Sequence, residues 1–269
     1  MYLADYHTHS SVSPDGSVTV SRLAEAAIGK GLDEICVTDH VDTVLWGDHR
    51  PRESFDWSEL EQQVAEARQR YGDRLVIRMG AELGEAPMAF DRAERLLDSG
   101  PKLDFVIGSV HMAGEKFQHF DLYYIEKHDE TYYHSVIDSY LEDVLRLARW
   151  GRFSVLGHLT LPLRYMNENL GENMTFDAHR EQCREIFRAL IDSGCGIECN
   201  TNRGNTPLPD GPLLRLYREM GGEIITLGSD AHSCDMVGCA IRETQELLRQ
   251  CGFRYFTTFE GGKPAFRPL

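Results

Sequence analysis

Basic residues are in short supply in this chain. Lys and Arg number 28 against 43 Asp and Glu, for a formal net charge of −15, and only five of the 28 are lysines. Gripping a nucleic-acid backbone takes clustered positive charge, so the balance argues against a nucleic-acid groove as the main working surface and no nucleic-acid partner is expected. Bound cations reverse the sign locally, however, and an acidic chain still holds a phosphate over metals. Long apolar runs are missing as well. No stretch approaches the roughly 18 residues of a membrane span, and Met1-Tyr2-Leu3-Ala4-Asp5 lacks the basic-then-apolar order of a secretory signal. The seven cysteines are odd in number and form no CxxC pair, which argues against a disulfide framework and for a reduced, cytoplasmic chain without a membrane partner. Cys195 and Cys199 lie in a strand-like run and read as core packing.

Nor does a linker, repeat or low-complexity run divide the chain, so residues 1–269 are expected to form one domain. Apolar strand-like runs occur at Leu3–Tyr6, Glu34–Thr38, Leu75–Met79, Phe105–Ser109, Phe153–Leu156, Gly196–Cys199 and Glu223–Leu227. Helical spacing fills the intervals at Val20–Lys30, Ser58–Tyr71, Phe90–Leu97, Thr131–Arg149, Asp177–Asp192, Gly211–Met220 and Ala240–Gln250. Gly31 and Gly194 fall where helices should stop. Seven strand-then-helix units without a glycine-rich dinucleotide fingerprint favour a closed or nearly closed β/α barrel over an open sheet. The tail from Phe253 to Leu269 reads as irregular or weakly β.

The chemistry lies in where the histidines fall. Asp5-Tyr6-His7-Thr8-His9 closes the first strand, and positions 5, 7 and 9 share one face of an extended segment. Two imidazoles at that spacing hold one cation, with Asp5 placed to orient one of them. Strand two ends in Thr38-Asp39-His40, strand three in Gly80-Ala81-Glu82, and strand four in Ser109-Val110-His111. Strand five ends in Gly157-His158 and strand seven in Ser229-Asp230-Ala231-His232. In a β/α barrel these ends converge on one rim, where active sites are built. Nitrogen and carboxylate donors without thiolate suit Zn, Mn or Fe. Their number exceeds the need of one ion, so two or three divalent ions are expected, with a carboxylate bridging a pair.

In this order the motifs resemble the PHP (polymerase and histidinol phosphatase) superfamily, from Asp5 to His232. Within it they look most like the free-standing histidinol-phosphate phosphatases of histidine biosynthesis. The resemblance implies a distorted (β/α)7 TIM-like barrel with a trinuclear metal centre. By carry-over, His7, His9, Glu82 and Asp230 hold one ion; Glu82, His111 and His158 a second; Asp15, His40 and His232 a third. Asp15 stands where several branches of the superfamily carry histidine. It also sits in Ser13-Pro14-Asp15-Gly16, a sequence with turn chemistry.

The reaction so implied is hydrolysis of the small phosphomonoester L-histidinol phosphate. A hydroxide bridging the ions joined by Glu82 would attack phosphorus in line, with Asp230 or His232 managing the leaving-group proton. Arg164 and Arg203, in rim loops, are expected to hold phosphate, and Arg50 and Arg52 are weaker candidates. Asp42 and Glu115 are placed to meet the cationic end of histidinol, and Trp46, Phe117 and Tyr165 to pack its ring. His49, His119, His128, His134 and His179 read as surface or structural. The alternative is a PHP phosphoesterase for another small phosphomonoester or for nucleotide ends. Metal-dependent amidohydrolases share the HxH strand, but many bridge their metals through a carbamylated lysine, and no lysine here stands at a strand end. A non-catalytic metal-binding domain remains a further reading.

Overall fold

The computed structural model describes residues 1–269. Seven parallel strands follow one another around a single sheet in chain order. They are β1 (Ala4–Thr8), β2 (Glu34–Val37), β3 (Val76–Gly84), β4 (Phe105–Ser109), β5 (Val155–Leu156), β6 (Gly196–Asn200) and β7 (Ile225–Gly228). Helices α1 (Val20–Gly29), α2 (Ser58–Tyr71), α3 (Phe90–Asp98) and α4 (Glu130–Trp150) cover the first four crossings. After β5 comes a short α5 (Leu161–Leu163), which runs into a π-helical turn at Arg164–Asn169 and then into α6 (Arg180–Ser193). α7 (Gly211–Glu219) precedes β7 and α8 (Ile241–Gln250) follows it. Each α-helix longer than three residues turns an apolar stripe inward, such as Leu60, Val64 and Ala67 of α2 or Cys183, Ile186, Phe187 and Leu190 of α6.

Closure is made at one end only. The backbone N–H of His9 donates to Ala231 O at 2.8 Å and that of Ala231 to His7 O at 3.2 Å, so the segment just past β7 pairs with the end of β1. This is a distorted (β/α)7 barrel, irregular where β5 is only two residues long. Phe153 and Ser154, expected in that strand, precede it.

Strand β3 runs five residues past the expected stop at Met79, because its two halves serve different neighbours. Glu34–Val37 of β2 pair with Val76–Met79, and Phe105–Ser109 of β4 pair with Gly80–Gly84. Glu82 therefore sits inside a strand rather than at its end. The two glycines are sterically required. A Cβ on Gly80 would lie 2.7 Å from Phe105 O, and one on Gly84 would lie 1.9 Å from an Asp42 carboxylate oxygen.

The tail, expected to be irregular or weakly β, is β. It is an antiparallel hairpin of β8 (Tyr255–Glu260) and β9 (Lys263–Pro268), turned by Gly261 and Gly262, both at positive φ. Left-handed backbone at both turn positions is what a two-residue hairpin turn demands, and glycine supplies it without strain. The hairpin plugs the N-terminal end of the barrel. Phe259 N donates to Tyr6 Oη at 2.7 Å, Ile225 N to Thr257 Oγ1, and Gly261 N to Asp104 Oδ1. Beneath it, buried Glu34 accepts from Tyr2, Tyr6 and Arg78 at 2.6 to 2.9 Å. Among the helices, none is long and apolar enough to cross a membrane.

Candidate metal centre

Glu82 stands at the middle of the opposite rim with a 1% exposed side chain, and its two oxygens face different histidines. Oε1 lies 3.0 Å from His158 Nε2 and 3.2 Å from His111 Nε2, and it accepts from Ser109 Oγ at 2.7 Å. Oε2 lies 3.1 Å from His7 Nε2, 3.4 Å from His9 Nε2 and 3.2 Å from His40 Nδ1. Three strands, β1, β2 and β4, at or just beyond their ends, and the residue two beyond β5 thus bring side chains to one carboxylate on β3. Asp230, at φ +57°, follows β7 and turns Oδ1 to within 3.6 Å of His7 Nε2 and 3.5 Å of His9 Nε2. Toward the mouth, Asp15 Oδ2 lies 2.8 Å from His232 Nε2 and 3.8 Å from His40 Nε2.

The donor atoms fall into four overlapping groups, each with every atom within 4.8 Å of the others: His7, His9 and Asp230; His7, Glu82 and His158; His40, Glu82 and His111; and His9, Asp15, His40 and His232. All nine residues expected as ligands are brought together here.

Several residues that the sequence reading passed over hold these groups in place. Glu198 Oε1 stands 2.7 Å from His7 Nδ1. Glu85 Oε1 accepts from His111 N at 2.7 Å and lies 3.1 Å from its Nδ1. Ser13 Oγ, 3.1 Å from His9 Nδ1, donates to buried Asp39 at 2.8 Å. Each such partner turns the opposite ring nitrogen toward the centre. Asp5, expected to orient an imidazole, does not. A register irregularity between Asp5 and Thr8 breaks the strict alternation, and Asp5 accepts instead from Ser229 N, Ser229 Oγ and Gly238 N. It locks β1 to β7 rather than tuning a ligand.

The electrostatics are those of concentrated negative charge out of water. Burial opposes the charged form of Glu82, yet His7, His40 and His111 hold its carboxyl well below the usual range. Asp230 is likewise well below, against its burial, through His7 and Arg164. Burial works against a charged His7, but Glu198, Glu82 and Asp230 carry it well above the ordinary imidazole value. His9 is pushed down to about 3 by burial and by the charge on His40. Buried His7 Nε2 and His9 Nε2 have no hydrogen-bond partner. A buried nitrogen lone pair without a donor costs on the order of 1–3 kcal/mol, and divalent cations among these carboxylates would satisfy both. The donor chemistry therefore fits metal ions.

The remaining expected residues divide. Arg164 is buried on the π-helical turn rather than in a loop. It donates to Asp230 Oδ2 at 2.8 Å, Asn202 Oδ1 at 2.9 Å and Asn200 Oδ1 at 3.1 Å. Arg203 is exposed at φ +58°, next to Asn202, and makes no ion pair. Asp42 is a correction. It is fully buried, accepts from Trp46 Nε1 at 2.6 Å and lies 3.7 Å from His40 Nδ1, which leaves it no surface for a ligand's cation.

Glu115 is exposed on a 3-10 turn beyond His111. The Trp46 ring is 42% exposed and edge-on to His40 at 5.0 Å. Tyr165 packs edge-on to exposed Tyr123 at 5.9 Å. Phe117 packs instead against Tyr132 and Phe120. Arg50 pairs with Asp48, and Arg52 lies over Phe55. Among the histidines read as surface or structural, His179 is buried between His134 and Asp138, each at 2.9 Å.

The family model described as the PHP domain matches residues 5–202. A histidinol-phosphatase of Lactococcus lactis subsp. lactis is 30% identical over 264 residues, 96% of this chain and 95% of that protein. A probable histidinol-phosphatase of Deinococcus radiodurans is 28% identical over 263 residues, 95% of this chain and 96% of that protein. Among solved structures, the histidinol phosphate phosphatase of L. lactis, complexed with Zn, L-histidinol and phosphate, superposes with a TM-score of 0.81 at 27% identity, covering 98% of each chain.

Proposed function

We propose, from the premise that the chain belongs to the PHP domain family, among its histidinol-phosphatases, that it hydrolyses L-histidinol phosphate to L-histidinol and phosphate at a centre of two or three divalent ions, with residues 1–269 acting as one domain. The observation that carries the reading is Glu82, whose two oxygens reach two separate sets of histidines from inside the barrel. His7, His9, Glu82 and Asp230 would hold one ion, Glu82, His111 and His158 a second, and Asp15, His40 and His232 a third. Zn, Mn and Fe all suit these donors. Such ions, when bound, activate a water and neutralise phosphoryl oxygens.

The protein's own groups do the rest. Arg164 engages Asp230 Oδ2 and leaves Oδ1 turned to the centre. His7 and Arg164 keep that carboxylate ionised against its burial, which makes it a weak base, and its part as carrier of a proton from the attacking water to the departing alcohol rests on the position of Oδ1. Three of the five N–H groups of Arg164 are committed, which leaves two for phosphate oxygens; exposed Arg203 adds a second guanidinium from the neighbouring turn. Glu115, free at the rim, is the remaining candidate for the substrate's cationic end.

The test is kcat/KM on L-histidinol phosphate against a panel of simple phosphomonoesters and nucleotides, with enzyme reconstituted in parallel with Zn, Mn and Fe. A lead of several orders of magnitude for histidinol phosphate supports the assignment. A flat profile overturns the substrate and leaves a broader PHP phosphoesterase.

A further inference from the structure

Glu198 lies on β6 within Gly196-Ile197-Glu198-Cys199-Asn200, every residue of which is buried. A carboxylate in such a strand is expensive unless each oxygen is matched. Both oxygens are matched by the metal centre. Oε1 faces His7 Nδ1 at 2.7 Å, and Oε2 accepts the backbone N–H of His158 at 2.8 Å. Asn200 Nδ2 reaches both oxygens at 3.4 Å. Glu198 therefore ties an expected ligand side chain on β1 to the backbone of another beyond β5.

The neighbouring strand keeps the space open. A Cβ on Gly228 would fall 2.1 Å from Glu198 Oε1 and 2.5 Å from His7 Cβ, so only glycine at that point of β7 lets the two side chains meet. Gly228 has no positive φ, so its requirement is this contact and not the backbone.

We propose that Glu198 is a positioning residue of the metal centre. It accepts His7 Nδ1–H, fixing the tautomer whose Nε2 lone pair points at Glu82 and Asp230, and it sets the height of His158 through the backbone. Carboxylates so placed behind metal-binding histidines typically contribute about 10- to 100-fold in metal affinity. The role rests on the metal-centre reading above and does not depend on which phosphomonoester is the substrate.

The experiment measures zinc affinity by chelator competition and zinc release rate in the full chain, alongside thermal melting of the metal-stripped protein. Three variants are compared. Glu198→Gln keeps the shape but must turn an NH2 toward either His7 Nδ1–H or the His158 N–H, a donor against a donor. Gly228→Ala keeps the charge and displaces it. Glu34→Gln removes a different buried carboxylate at the far end of the barrel, so it reports general destabilisation.

Glu198→Gln and Gly228→Ala are expected to weaken zinc by about 10- to 100-fold and to speed its release, while Glu34→Gln lowers the melting temperature and leaves zinc affinity unchanged. Wild-type affinity and release in Glu198→Gln overturn the proposal, as does equal loosening in Glu34→Gln. A wild-type protein that binds no zinc, manganese or iron overturns the metal centre along with it.

Discussion

The indole N–H of Trp46 donates to Asp42 Oδ2 at 2.6 Å, and the other oxygen of that carboxylate lies 3.7 Å from His40 Nδ1. An aromatic side chain at the mouth is thereby joined to an expected metal ligand through a fully buried acid. Replacing Trp46 with Phe removes the only hydrogen bond to that carboxylate. Leaving the group without a donor should cost about 1–3 kcal/mol, read as a lower denaturant midpoint at unchanged m-value.

Glu82 has no substitute among its neighbours, since it alone faces all five histidines His7, His9, His40, His111 and His158. Glu82→Ala is expected to lower the bound metal per chain and to reduce kcat/KM on the order of a thousandfold. Elemental analysis and steady-state kinetics on the same preparation check both. Full metal content with near-wild-type turnover would remove Glu82 from the site.

The two arginines should fail in different ways. Arg203 is exposed and unpaired, so Arg203→Ala should shift stability by no more than about 0.5 kcal/mol while raising KM for a phosphomonoester. Arg164→Met strips the buried partner from Asp230 and should destabilise by about 3–5 kcal/mol besides lowering kcat. Melting curves set beside KM and kcat separate the two. An Arg203→Ala enzyme with wild-type KM would take that side chain out of phosphate binding.

Metal binding should release protons. His40 is raised to about 9, burial being outweighed by Glu82 and Asp42, and His7 and His111 lie well above the ordinary value. A raised pKa means that the chelator-stripped protein keeps these protons at neutral pH, and an ion must displace them. Zinc affinity should therefore fall as pH falls below these values. Calorimetry in two buffers of different ionisation enthalpy should register about one proton or more per ion. Identical enthalpies in both buffers would show that the imidazoles bind the metal from the neutral state.

The far end of the barrel should affect stability without affecting catalysis. Tyr6→Phe removes the hydroxyl that meets Glu34 Oε1, Phe259 N and Phe259 O. A cost of about 1–3 kcal/mol is expected, with kcat/KM and zinc affinity kept. A matching loss of activity would show that the plug shapes the rim.

The rim was legible because each histidine closes an apolar run, and in a barrel such runs end at one level. His7, His40, His111 and His158 needed only that rule. Glu198 was hidden inside a segment read as core, although its own signal was there: one charge in an otherwise apolar strand needs a buried partner. Asp42 was misread because its place two residues past His40 suggested the mouth, whereas Trp46, four residues on, draws it inward. The tail read as irregular or weakly β and its pairing into a hairpin was not drawn, although Gly261-Gly262 between two β-rich runs is a turn signal. The length of β3 was beyond local reading, since its second half pairs only with β4.

Closure of the barrel through His9 and Ala231, and of its floor through Tyr6 and Phe259, 253 positions apart, bears on the order of events during synthesis. The first strand leaves the ribosome carrying His7 and His9 long before Asp230 exists to face them. Contacts spanning nearly the whole chain are slow to form, because loop closure is costly until they reward it. An ion captured early would meet a partial set of donors, whereas one captured after β7 docks would meet them all. The tightest metal binding should therefore coincide with the last steps of folding, making metal retention a sensitive reporter of whether a given molecule has finished.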